Sequence, residues 1–185
     1  MEFTLYYRGD LKANRGPKEK QDLRRHFHSQ LKCLWEQIPL KERHKLLEKE
    51  PKSNDIGILK PINGFYFAPL VTEKLNLIAE LKITLLRPEP PGSIITQAGD
   101  IDNRLKTLFD ALKVPSEPTA IPSGDQPIAG EDPFFCLLED DNLITKVGVE
   151  TDRLLDECKS ASEVVLLVHV TTKTTRMSWA NMGLG

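Results

Sequence analysis

Residues 98–112 read AGDIDNRLKTLFDAL, and Asp100, Asp102, Lys106 and Asp110 fall close together within them. Residues i and i+2 of an extended chain point to the same side, so Asp100 and Asp102 can aim at one point. On a helix beginning near 102, Lys106 lies one turn after Asp102 and Asp110 one turn after Lys106. They share a polar face opposite Leu105 and Phe109. A second acidic pair, Asp140 and Asp141, stands in the stretch LLEDDNLI. If that turn packs beside the N-terminus of the helix, Asp100, Asp102, Asp140 and Asp141 converge. Converging carboxylates repel unless a hard cation holds them together. Mg²⁺ suits such a set, because it takes a few carboxylates and leaves positions for water and phosphate oxygens. A bound divalent ion polarises a phosphoryl oxygen and acidifies a water nucleophile, and Lys106 adds positive charge where negative charge develops. These parts describe phosphodiester hydrolysis. Each motif also has an ordinary reading: Asp100 or Asp102 caps the helix, Lys106 makes weak surface pairs, and EDDN is an acidic turn.

The elements that must position these residues are legible from periodicity. EFTLYY (2–7) alternates as a strand. From Pro17, Leu23, Phe27, Leu31, Leu34, Trp35 and Ile38 recur at helical spacing until Pro39 stops them. The charged stretch 40–50 reads as a second helical piece, and 51–64 as a turn-rich connector. GFYFAPL and KLNLIAELKITLLRP read as strands. The helix of about 102–113 turns Leu105, Leu108, Phe109 and Leu112 inward. Residues 114–134 hold five prolines and read as an exposed loop without a core of its own. A strand, the acidic turn and another strand follow, then SEVVLLVHVTT (162–172) as a final strand. The expected class is α/β of the α+β type: a mixed, mostly antiparallel sheet of four to five strands carrying two to three helices.

The totals fit one domain over residues 1–185. Apolar stretches are too short to span a bilayer, so no membrane partner is expected. Cys33, Cys136 and Cys158 have no C-x-x-C spacing, which speaks against a zinc site or disulfide framework and fits a cytoplasmic setting. Residues 1–60 carry 14 Lys/Arg against 9 Asp/Glu, and the remainder 11 against 18. A basic half beside an acidic half suits a polyanion surface next to a carboxylate site, and equally suits solvated helices. Arg24, Arg25, His26 and His28 form a basic patch within reach of phosphates in one reading and a plain solvated face in the other. Lys12, Arg15, Lys18 and Lys20 are weaker candidates for the same role.

Taken together, GDIDNRLKTLFDAL and LLEDDNLI resemble the RusA family of Holliday-junction resolvases. Members show D-x-D-N-x-x-K-x-x-x-D-A-L and then an apolar-D-D-x-x-apolar segment; every position of the first is filled here, and in the second only the apolar residue before the pair differs, Glu139 standing between Leu138 and Asp140. The resemblance implies a small α/β domain that forms a homodimer and cuts branched DNA, the four-way junction above all, by Mg²⁺-dependent paired nicks, with Mn²⁺ as a substitute ion. Position by position it implies Asp100, Asp102, Lys106 and Asp141 as catalytic. The metal would rest on Asp100, Asp102 and Asp141, joined by Asp140. Asn103 and Asp110 would be supporting residues. The motifs are 27 residues apart, from Lys113 to Glu139, more than the family pattern requires. Insertions are therefore expected at about 114–134 and, from the length of the charged piece, at about 40–60. The other function weighed within this fold is a module that binds DNA structure without cutting. Outside it stands a sugar-nucleotide transferase using Asp100-x-Asp102, for which the chain is short.

Overall fold

The strand Leu77–Arg87 is the axis of the molecule: its residues alternate between buried and more open positions along its whole length. A computed structural model describes residues 1–11, 15–53, 55–88, 101–160 and 162–185. In chain order the elements are β1 (Glu2–Asp10), α1 (Pro17–Trp35), a 3-10 segment (Leu40–Leu47), β2 (Lys60–Ile62), β3 (Phe65–Val71), β4 (Leu77–Arg87), α2 (Ile101–Leu112), β5 (Phe134–Leu138), β6 (Ile144–Arg153) and β7 (Glu163–Thr174).

The strands divide into two sheets. One has the order β1-β7-β4-β6, antiparallel except for the parallel β4–β6 pair. The other has the order β2-β3-β5, antiparallel and then parallel. The class is thus the expected mixed α/β one, with the strands shared between two sheets rather than gathered in one. The stretches FYFAPLV and FFCLL are buried at nearly every position, so they lack the alternation of a one-sided strand. The strands on either side of the acidic turn, β5 and β6, belong to different sheets, and the turn is the crossing between them.

α1 starts with Pro17 in its first turn, where a missing N–H costs nothing. Its stripe Leu23, Phe27, Leu31 and Trp35 joins the main core with Leu81, Ile83 and Leu85 of β4 and Leu166, Val168 and Val170 of β7. Leu108 and Leu112 of α2 are buried in the same core, with Leu105 and Phe109 packed against it, as their spacing predicts. A second, smaller core gathers Phe65, Phe67, Val114, Ile121, Phe134 and Cys136. It corrects the reading of 114–134 as a coreless loop, since Val114 and Ile121 are 6% and 3% exposed. Burial pushes the Cys136 thiol up to about 12, so it acts as a small apolar side chain. Among the described residues no helix is long and apolar enough to cross a membrane.

The RRHFH stretch of α1 is a structural seam, not an open basic patch. Arg24, 2% exposed, donates to the carbonyls of Asp110 (2.8 Å) and Lys113 (3.3 Å), satisfying acceptors at the end of α2. Arg25 is held by Glu131 (2.8 Å) and Asp125 (2.9 Å), and His26 bonds the Tyr6 carbonyl at 2.8 Å. His28 Nδ1 accepts the Phe135 N–H at 2.8 Å and Nε2 donates to the Gly130 carbonyl at 3.2 Å, which requires the neutral ring. Burial pushes its pKa below the ordinary value. The unfolded chain therefore binds the extra proton first. His28 should cost stability as the pH falls below about 6.5, until the native ring itself titrates. His28→Leu is expected to lose about 1–3 kcal/mol at pH 8 by orphaning the Phe135 N–H, and to flatten the pH 5–7 limb of the wild-type curve. Urea titrations across that range check both.

Candidate active site

α2 presents its polar residues as the sequence suggested. Asp102 sits in the first turn and Lys106 one turn on, both exposed, while Thr107, Leu108, Ala111 and Leu112 are buried. The described helix spans Ile101–Leu112, so Asp102 is itself helical and not part of an extended lead-in. Asp100 lies outside the described residues, as does Lys12. Asp110, third on the stripe, is tied to α1 through Lys20 Nζ at 2.6 Å. That bond and the Arg24 bonds fix the last turns of α2 against α1. Lys20 is thereby occupied inside the protein, and Arg15 faces Glu19 at 3.5 Å, so neither stands free for a polyanion.

Three consecutive carboxylates leave β5, and each has a different engagement. Glu139 turns inward: Lys60 Nζ is 2.5 Å from one oxygen, while Thr72 Oγ1 and the Glu73 N–H (3.3 Å) donate to the other. Burial pushes its carboxyl up, but these partners outweigh burial and hold it below the usual range. Asp140 caps the short turn Asp141–Leu143 by accepting the Asn142 N–H at 3.0 Å. Asp141 accepts from Lys113 Nζ at 2.9 Å, and the same ammonium stands 4.0 Å from Asp140 Oδ2. Lys113 holds the Asp141 carboxyl below the usual range against the opposing effect of burial. The side chains of Asp140 and Asp141 remain 48% and 43% exposed.

Lys113 is the residue that sequence reasoning missed. It follows the motif directly and stands three residues after Asp110, which continues the stripe Asp102, Lys106, Asp110 by another turn. Its backbone runs beside Leu138 as an isolated parallel bridge, and the next residue, Val114, donates its N–H to the Leu138 carbonyl at 2.9 Å. The second motif thus joins α2 at the end opposite Asp102. The expectation of a turn beside the helix N-terminus is corrected, since along the axis Asp102 and Lys113 are about 16 Å apart at 1.5 Å per residue. The physical reason is the parallel alignment of residues after α2 with β5, which leads the exit of β5 to Lys113.

The donors fit Mg²⁺ in kind, since all are hard carboxylate oxygens, and the Asp140–Asp141 turn already draws a cation, the Lys113 ammonium, toward both its members. Among the described residues no group of three or more His, Cys, Asp or Glu is gathered for a metal; Asp100 is outside that set. No family model, no curated protein and no solved structure matches the chain.

Proposed function

We propose that this protein is a Mg²⁺-dependent, structure-specific endodeoxyribonuclease that hydrolyses phosphodiester bonds in branched DNA. The observation that carries the reading is the joint occurrence of D-x-D-N-x-x-K-x-x-x-D-A-L and L-L-E-D-D. Asp102, Lys106, Asp140 and Asp141 are open to solvent or half-exposed, while their neighbours Glu139 and Asp110 are committed to structural pairs. In this reading Asp100 with Asp102 at one end of α2, and Asp141 with Asp140 at the other, are the carboxylates that would hold metal, as two sets rather than one. When bound, the ion supplies Lewis-acid polarisation of the phosphoryl oxygen and an acidified water. Lys106, exposed one turn from Asp102, stabilises the extra charge on the phosphate as the water adds. Lys113 neutralises the turn within the chain, and its ammonium stands where a cation held by Asp141 would have to compete. A homodimer places two such sites on the two strands of a symmetric junction.

A 5′-labelled four-way junction incubated with the protein and Mg²⁺ is expected to yield paired nicks that EDTA abolishes and Mn²⁺ supports, with linear duplex left uncut. A tight complex with the junction and no nick in either metal would assign the fold to structure-specific binding alone. Clustered negative charge near bound phosphates opposes a purely binding role, because DNA affinity comes chiefly from neutralising phosphates.

A further inference from the structure

β6 is the outer strand of its sheet: β4 pairs with one edge, and among the described residues no strand pairs with the other. Ten residues long and mostly exposed, it is an edge of the kind that proteins shorten, bulge, cover or place against another chain. Its sequence, ITKVGVETDR, has an internal symmetry about Gly148. If a second copy of β6 lies antiparallel with Gly148 opposite Gly148, Val147 meets Val149, Lys146 meets Glu150, and Thr145 meets Thr151. The two-fold axis repeats each contact. Directly opposed residues share a face, so Lys146 and Glu150 meet on the outer face, where Glu80 is the ladder partner of Lys146 and Lys82 lies 3.3 Å from Glu150, and the valines meet on the face of their ladder partners Leu81 and Ile83. The same register sets Ile144 against Asp152 at the strand ends; moving the axis to Val147 would set Lys146 against Gly148 and Glu150 against Ile144, losing both Lys–Glu pairs. Moving it to Val149 would set Gly148 against Glu150.

We propose that β6 is a self-complementary edge through which two copies of this chain join their four-stranded sheets into one eight-stranded sheet. Three features carry this beyond the mere exposure of an edge. Charge complements charge across the axis, with one Lys–Glu pair on each side of it. Val147 is 43% exposed, an apolar side chain left open on the isolated chain beside the half-buried Val149. Gly148 brings no side chain to the axis, and a Cβ built there meets nothing within 4 Å, so two strands can approach without displacing a neighbour. Among the described residues Glu150 pairs with Lys82 at 3.3 Å, and both are more than 60% exposed, so this weak surface pair leaves it able to lean across. The partner is a second copy because the pattern complements itself; an isologous contact needs just that property. The inference deepens the homodimer of the proposed function and shares none of its metal chemistry.

Sedimentation velocity at 1–50 µM and low salt tests it. The wild type is expected to be dimeric. Lys146→Glu alone, or Glu150→Lys alone, places like charges opposite each other twice and should weaken association about tenfold or more. Lys146→Glu/Glu150→Lys in one chain reverses the pairs without losing them and should restore the dimer. Far-UV circular dichroism confirms that each variant is folded. A monomeric wild type overturns the interface, and so does a dimer indifferent to single reversal or one not recovered by the double swap. Junction incision measured on the same samples separates the two readings. Cutting by a protein that does not pair through β6 removes the interface and leaves the nuclease, whereas a dimer broken and rescued as described that never cuts does the reverse.

Discussion

Asp102→Asn and Asp141→Asn are each expected to slow incision of a four-way junction by about 10²–10³-fold, the scale on which loss of one charge-stabilising group acts. Both changes keep side-chain volume and remove a negative oxygen, so metal affinity should fall with the rate. Isothermal titration of Mg²⁺ or Mn²⁺ reads that loss without DNA. The double variant decides whether the two residues serve one ion. Asp102 and the acidic turn sit at opposite ends of α2 and share no partner, so the losses should multiply in Asp102→Asn/Asp141→Asn. A double variant that cuts no more slowly than the worse single variant would instead assign both residues to one ion, since groups that act as a unit are strongly non-additive. Undiminished cutting by either single variant would reject the catalytic assignment of that residue. Lys106→Met should lower the rate and leave metal affinity nearly unchanged, because its charge acts on the phosphate.

The largest effect on stability is expected from Phe134→Ala. Phe134 is fully buried at the start of β5, with ring centroids 4.5 Å from His28, 5.3 Å from Phe67 and 5.7 Å from Phe65. Truncation leaves a cavity among rings that are themselves held by strand pairing, so collapse around it is limited. The cost should be about 3–5 kcal/mol. For a chain of this size that is a fall in melting temperature of roughly 10 °C. Phe134→Leu, which retains most of the volume, should lose less than half as much. Calorimetry of the three proteins checks the order. The smaller core holds Val114 and Ile121 as well, so the Ala variant should also release segment 114–133 to limited proteolysis before the rest of the chain.

What could be read without coordinates follows from how local each signal is. β4 and α2 announce themselves by periodicity, and the polar stripe of α2 is fixed once the helix is. The division into two sheets is not local. β3 and β5 are buried at nearly every position, and such a strand says nothing in its own residues about which neighbour it joins; β3–β5 and β4–β6 are parallel pairs brought together by long connections. Arg24 and His28 mislead for a related reason. Their chemistry suggests solvent, and their burial depends largely on distant backbone groups: the carbonyls of Asp110, Lys113 and Gly130 and the amide of Phe135. The prolines of 114–134 indicate irregular backbone correctly and conceal two apolar anchors. Of the candidate site, residue types and exposure were legible; the end of α2 that meets the acidic turn was not, because it depends on the alignment of Val114 with Leu138.

Thr72 and Glu139 make one last property of the molecule visible. The two sheets are joined by two short crossings, residues 72–76 and 139–143, and the Glu139 carboxylate stitches one to the other by accepting from Thr72 and Glu73. A pair of straps fastened side by side behaves as a weld: the layers resist sliding along it, and Asp140 and Asp141 ride on the weld itself. If the proposed function holds, these two carboxylates would sit beside the point where the crossings are tied together, and a substrate would have to conform to them.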